Sequence, residues 1–241
     1  YQATDMITDW YDKKLRGSKI YNNKSPAEIR EKFKIKGKNK GTRASEVIKK
    51  LEKNLIEASN FNPSPNYYGY ITGGGNQIGI IAEYIKAALN QNNLKWHSAP
   101  ANSEIEKIVI EWISEFIGYN KKCGGVLVSG GSVANLMNLA VMRKVKGGKN
   151  IKEKGIYNEK IMRVYVSEEG HSSIDKAMDI LGLGSENLIK VKRDENFKIQ
   201  INELEKKISD DIKSGFKPIG VIGIAGTTNT GSVDPMDKIV K

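Results

Sequence analysis

Gly124 to Met142 reads GGVLVSGGSVANLMNLAVM: a short apolar run (Val126, Leu127, Val128), a tight Ser129-Gly130-Gly131-Ser132 turn, then an apolar segment too long for a strand. The pattern predicts strand, glycine turn, helix. Adjacent glycines let the backbone turn with no Cβ in the way, and Ser132 is placed to cap the new helix. N–H groups left free at a helix start, with roughly half a positive charge from the aligned peptide dipoles, attract an anion such as phosphate. An ordinary strand-to-helix connection in an α/β domain would carry the same pattern. No Lys-Ser/Thr pair follows to complete a P-loop, and no third glycine completes a dinucleotide fingerprint, so an anion other than ATP or NAD is expected.

Downstream of this unit, strand and helix patterns alternate, which argues for a mainly parallel sheet covered by helices. A strand at Ile161 to Val166 runs into Ser167-Glu168-Glu169-Gly170-His171-Ser172-Ser173 and a helix carrying Ile174, Ala177, Met178 and Leu181. A strand at Leu188 to Val191 precedes a helix expected to be capped by Asn202, with Glu205 at the box position, and to end at Gly215. The last strand, Ile219 to Ala225, is apolar on both faces, as a buried parallel strand should be, and enters Gly226-Thr227-Thr228-Asn229-Thr230-Gly231.

Upstream, Ser103 and Glu106 form an expected capping box, and Ile105, Ile108, Val109, Trp112, Ile113 and Phe116 make a wide apolar stripe that stops at Gly118. Before it come an aromatic and glycine cluster, Tyr67 to Gly75, and a helix with Ile78, Ile81, Ala82, Ile85 and Leu89 on one face. The cluster is either a packed crossover or a pocket wall. Residues 1 to 65 read as a helical annex: Ser25-Pro26-Ala27-Glu28 opens a short helix, Lys34 to Lys40 is a solvated loop, and Val47, Ile48, Leu51 and Leu55 follow helical spacing. The chain begins with Tyr1, so its true N-terminus is expected to lie upstream.

The 241 residues are 39% hydrophobic, enough for a core, and carry 39 basic against 28 acidic side chains, a net charge of +11. The excess is nearly all lysine. Arg16, Arg30, Arg43, Arg143, Arg163 and Arg193 are scattered, without the arginine clusters and interleaved aromatics that nucleic-acid recognition favours, so no nucleic-acid partner is expected. No apolar run of bilayer length is present and Cys123 is the single cysteine, which together point to a soluble protein of the reducing cytoplasm.

Ligands of open α/β sheets sit beyond the carboxyl ends of the strands, which brings together Gly130 to Ser132, Glu169 to Ser173 and Gly226 to Gly231. A histidine there could be a catalytic base, a metal ligand or a flat surface against a planar ligand, or it could be structural. Neither Cys123 nor His97 stands at metal-ligand spacing from His171, so no metal is expected.

The ordered motifs GGVLVSGGSVANL, YVSEEGHSSIDKA and IGVIGIAGTTNTGSVDP, with YYGYITGGG and LKWHSAPANSEIEKIVIEWI before them, resemble the group II pyridoxal-phosphate-dependent amino acid decarboxylases. That family includes the aromatic-L-amino-acid, tyrosine and glutamate decarboxylases. The resemblance covers the chain, most weakly over residues 1 to 60. It implies an α/β fold of the fold type I large-domain kind over residues 66–241, an N-terminal dimerisation segment over 1–65, an obligate homodimer, pyridoxal 5'-phosphate as cofactor and an amino acid as substrate. It further implies that Gly131 and Ser132 hold the cofactor phosphate and that His171 stacks on the pyridine ring and assists proton transfer. By the same resemblance Thr228, or Thr227 in the neighbouring register, would contact the cofactor or the substrate carboxylate, and Tyr70, Ile71 and Thr72 would line the substrate pocket, with Leu94 and Trp96 reaching in from the partner; the tyrosines tilt the expected substrate toward an aromatic amino acid.

The family's cofactor-binding lysine directly follows a histidine, whereas here His97 precedes Ser98 and His171 precedes Ser172. Asp234, in GSVDP, is not the family's ring-nitrogen aspartate. The chain is therefore expected to be the N-terminal portion of a longer enzyme and inactive alone. The alternatives are another fold type I enzyme, an aldehyde lyase or aminotransferase, and an inactive interaction module.

Overall fold

In the computed structural model residues 1–17, 20–34, 41–120, 122–148, 150–157 and 159–240 are described, and contacts divide the chain into two units, Tyr1–Asn92 and Asn93–Lys241. The sequence reading drew its boundary at 65/66, so residues 66–92 group here with the first unit. Residues 35–40 of the expected solvated loop lie outside the described residues.

The first unit is helical: α1 (Gln2–Asp9), α2 (Pro26–Lys32), α3 (Ala44–Asn54) and α4 (Gln77–Leu89). Local chemistry sets the ends of these helices. Pro26 takes the first position of α2, Ser25 Oγ accepts from the Glu28 N–H at 3.3 Å, and Glu28 Oε2 accepts from the Ser25 N–H at 2.7 Å. This reciprocal pair satisfies two donors that the first turn cannot. Asn76 Oδ1 accepts from the Gly79 N–H at 2.6 Å to start α4, and Asn90, with φ 46, closes it in the left-handed conformation that asparagine tolerates. Ile78, Ile81, Ile85 and Leu89 of α4 remain exposed.

The second unit is built from α5 (Pro100–Phe116), α6 (Gly131–Gly147), α7 (Ile151–Lys154), β1 (Met162–Ser167), α8 (Ser173–Ile180), β2 (Leu188–Val191), α9 (Ile201–Lys213), β3 (Lys217–Ile222) and α10 (Met236–Ile239). The strands form one parallel sheet in the order β2-β1-β3, with Val166 of β1 in register with Lys190 on one side and Ile222 on the other.

β1 alternates between two cores, as the period of a strand requires. Met162, Val164 and Val166 pack with Leu139 of α6 and Ile174, Ala177 and Met178 of α8, while Tyr165 packs with Val191, Ile199 and Leu204 toward α9. Val164, Tyr165 and Val166 are all fully buried, each contributing about 1.5–3 kcal/mol by removal from water. On the α9 side the Tyr165 hydroxyl donates to Asp211 Oδ2 at 2.6 Å, and Arg163 pairs with the same carboxylate while its guanidinium lies 3.3 Å from the centre of the Phe216 ring. Burial, and then the bond to Asp211, push the Tyr165 phenol above its ordinary range. α6 approaches β3 so closely that a Cβ at Gly220 would stand 2.5 Å from Met142 Sδ.

Several local expectations are corrected. Val126 to Val128 is not a strand: a strand is a paired element, and no described strand lies beside this segment, whose Leu127 N–H donates to Glu106 Oε1 at 2.9 Å instead. That bond also takes the carboxylate of the expected Ser103/Glu106 box. α5 opens earlier, at Pro100, where the fixed φ of proline suits the first turn, and the Ser103 N–H bonds to the Ala99 carbonyl at 3.0 Å. α9 opens at Ile201 after Gln200, without a side-chain cap, because Ile201 is drawn against the Tyr165 cluster and leaves Asn202 inside the helix. β3 ends at Ile222 rather than Ala225, because the Ile224 N–H turns to Asp234 Oδ2 at 2.9 Å.

Candidate functional site

The amino end of α6 is built by Gly130. Its φ of 86° is one that side-chain-bearing residues rarely adopt, and it lets the chain turn from the Val126 to Val128 segment into the helix. The first intrahelical bond runs from the Ala134 N–H to the Gly130 carbonyl at 3.2 Å, so the N–H groups of Gly131, Ser132 and Val133 have no intrahelical acceptor. The expectation that Ser132 caps this helix is not met. Ser132 is the second helical residue, one position beyond where a capping side chain must sit, and no side chain caps the end. Donors and hydroxyl alike are left for an external acceptor. A Cβ at Gly130 or Gly131 would meet nothing within 4 Å, so the space in front of the helix is open.

His171 stands in the loop between β1 and α8, its ring exposed and its Nδ1 held from behind. The Ser173 N–H donates to Nδ1 at 3.1 Å, and Ser173 Oγ lies 2.9 Å from the same nitrogen. Asn135 Nδ2, on the second turn of α6, donates to Ser173 Oγ at 2.9 Å. The start of α6 and the histidine loop are thus joined by side chains as well as by the packing of Ile174 and Ala177 under α6.

The third loop leaves β3 beside β1 at the same edge of the sheet, since the two strands are parallel. Thr227 is buried and its Oγ1 accepts from the N–H groups of Thr230 (3.3 Å) and Ser232 (3.2 Å) while meeting Thr230 Oγ1 at 2.5 Å. Its hydroxyl is consumed inside the loop. Thr228 is exposed, which favours Thr228 over Thr227 as the residue that can reach a ligand. Asp234 braces the loop by accepting from the Ile199 and Ile224 N–H groups at 2.8 and 2.9 Å. Glu169 pairs with Arg193 at 2.8 Å, and Ser232 Oγ donates to the Phe197 carbonyl at 2.8 Å, so the segment after β2 ties the other two loops together.

Helix donors with open space before them, a free serine hydroxyl, a flat exposed imidazole and a free threonine hydroxyl suit a planar ligand that carries a phosphate. The other expected site residues are described within their own units. Tyr70, with φ 61 and 91% exposed, Ile71 and Thr72 lie in the first unit. Leu94 and Trp96 open the second, where the Trp96 indole donates to Glu104 Oε1 at 2.6 Å on α5. Asn135 and the pairing of Arg193 escaped the sequence reading, and Glu169 and Ser173 entered it only as the bounds of a loop, without roles. The Ser172-Ser173 pair beside His171 was the one available signal, since a polar residue inside an apolar helix, such as Asn135, has no readable partner.

A family model described as the pyridoxal-dependent decarboxylase conserved domain matches residues 26–241. An aromatic-L-amino-acid decarboxylase of Bacillus atrophaeus is 29% identical over 239 residues, covering 99% of this chain and 48% of the relative. An acidic amino acid decarboxylase of Xenopus tropicalis is 31% identical over 241 residues, covering 99% of this chain and 44% of the relative. The crystal structure of mouse CSAD superposes with a TM-score of 0.91 at 23% identity, over 99% of this chain and 50% of that one. The chain spans about half the length of the curated relatives it matches.

Proposed function

The chain belongs to the pyridoxal-dependent decarboxylase family, and from that premise we propose that the complete protein is a pyridoxal-phosphate-dependent decarboxylase of an L-amino acid, acting as a cytoplasmic homodimer. The observation that carries this reading is the uncapped amino end of α6 tied through Asn135 and Ser173 to His171. In this reading the N–H groups of Gly131 and Ser132 and the Ser132 hydroxyl hold the cofactor phosphate, His171 lies against its ring, and Thr228 donates to the cofactor or to the substrate carboxylate. Bound there, pyridoxal phosphate would supply an electron-withdrawing ring to accept the electron pair left when carbon dioxide departs. The protein's share is to bind, to orient the bond that breaks and to hold a proton donor at His171.

An aromatic substrate is favoured by Tyr67, Tyr68 and Tyr70, whose rings present apolar area with a polar tip. Tyr70, Ile71 and Thr72 are assigned to the substrate pocket, with Leu94 and Trp96 contributed by the second protomer, and residues 1–65 to the dimer contact. The test is the protein expressed from its complete reading frame, supplied with pyridoxal phosphate and a panel of aromatic and acidic L-amino acids, scored for carbon dioxide. Release from an aromatic member supports the full reading. Release from acidic members alone corrects the substrate, and no release from any overturns the decarboxylase.

A further inference from the structure

The hydrogen bonds around His171 determine where its protons sit. The Ser173 backbone N–H can only donate, so at 3.1 Å it makes Nδ1 an acceptor and leaves the ring proton on Nε2. Ser173 Oγ lies 2.9 Å from the same Nδ1, and two facing lone pairs would repel at that distance, so the hydroxyl hydrogen must lie between them. With its hydrogen turned toward the ring, Oγ is an acceptor on its other side. The group 2.9 Å away on α6 must then be the amide N–H of Asn135 and not its carbonyl. The backbone donor and the Asn135 amide thereby agree on one order of protons along Asn135, Ser173 and His171.

The elements support this order. Ser173 is buried at the start of α8, and α6 and α8 pack through Leu139, Ile174, Ala177 and Met178, which fixes the spacing between Asn135 and Ser173. His171 itself is exposed, and its Nε2 has no hydrogen-bond partner among the described residues. That nitrogen is therefore left as a donor for an external acceptor.

We propose that Asn135 and Ser173 are positioning residues that hold His171 as the Nε2–H tautomer, so that it meets a bound amino acid as a hydrogen-bond donor and not as a base. The proposal deepens the function given above and rests on His171 facing the cofactor. A donor at Nε2 matches a substrate carboxylate, an acceptor at the bond that breaks. An acceptor at Nε2 would repel it.

The experiment needs neither bound cofactor nor turnover, so it can fail independently of the decarboxylase reading. In the cofactor-free full-length protein carrying ring-15N histidine, the two-bond couplings of His171, assigned by its loss in His171→Gln, report which nitrogen holds the proton at neutral pH. The Nε2–H pattern is expected. An Nδ1–H pattern in the unsubstituted protein overturns the proposal without any need for a variant. Asn135→Asp replaces the amide donor by a carboxylate, which takes the Ser173 hydroxyl hydrogen and turns Oγ into an acceptor for Nδ1–H. A measurable Nδ1–H population is expected there, with Asn135→Gln retaining Nε2–H. An unchanged Nε2–H pattern in a folded Asn135→Asp would show that the backbone N–H alone sets the tautomer, and would overturn the role of Asn135. In turnover, Asn135→Asp should lose roughly tenfold or more in kcat, within the range that a mis-set acid–base group costs, with little change in KM.

Discussion

His171 gains its place from Ser173 and, through it, from Asn135, and its removal separates chemistry from binding. His171→Gln keeps a planar side chain of similar reach but loses the ring. It should lower kcat for carbon dioxide release on the order of 10²–10⁴-fold, the range of a positioned proton donor, while pyridoxal phosphate affinity changes far less. Steady-state turnover and a cofactor titration on the same preparation check both halves. At the other face of β1, Tyr165 supplies a prediction about pH. Its phenol is raised above the ordinary value near 10 by burial and by Asp211, so the neutral form is favoured in the native state. The sign follows: this stabilisation is complete below about pH 10 and is lost as pH climbs through the raised native value. Tyr165→Phe removes one hydrogen bond to a carboxylate, about 1.5–3 kcal/mol, and removes the ionisation as well. Melting temperatures from about pH 8 to 11 should fall more steeply for the natural protein than for the variant; parallel curves would mean that Tyr165 contributes nothing to alkaline unfolding.

At the scale of elements, the helix-to-sheet contacts are tight where glycine permits them. Gly220→Leu on β3 would drive its side chain into Met142 of α6, and overpacking of this kind costs about 1–3 kcal/mol. A lowered urea midpoint with an unchanged slope is the expected result, and Met142→Ala in the same chain should restore part of the loss. Much of this architecture was legible in sequence. Ile161 to Val166, Leu188 to Val191 and Ile219 to Ala225 fell on the three strands within a few residues, because buried parallel strands are short apolar runs bounded by loops. The SEEGHSS and GTTNTG loops, which follow β1 and β3, were legible for the same reason. The errors have a common cause in partners far away in sequence. Val126 to Val128 has the composition of a strand but no strand to pair with among the described residues. Glu106 was diverted to the Leu127 N–H, and Ile224 to Asp234, by contacts 21 and 10 residues distant. Capping rules read only four neighbours at a time, and so they could not anticipate either bond.

At the scale of the whole molecule, the outstanding feature is apolar surface on helices that the chain does not itself cover. Ile78, Ile81, Tyr84, Ile85 and Leu89 of α4 are exposed in the first unit, and in the second Trp112 and Phe116 of α5 are 66% and 91% exposed. Monomers seldom leave a contiguous apolar patch larger than about 300–600 Å², and the proposed homodimer is a state that would cover such faces. The 241-residue chain expressed on its own should bind a hydrophobic dye and elute as aggregate, whereas the protein from the complete reading frame should elute as a dye-silent dimer. A dye-silent monomer of the 241 residues with a sharp melt would instead favour a self-sufficient interaction module. The central claim, that the amino end of α6 holds the cofactor phosphate, is tested most directly by titrating pyridoxal phosphate into the complete protein and its Gly131→Val variant. A Cβ at this position meets nothing of the protein within 4 Å, so the substitution disturbs an occupant of the space in front of the helix before it disturbs the fold. Valine keeps the backbone N–H, but its side chain pushes the phosphate off that donor, and forfeiting one hydrogen bond to a charged phosphate, about 1.5–3 kcal/mol, predicts a dissociation constant raised on the order of 10- to 100-fold. An unchanged dissociation constant in the folded variant would contradict the account.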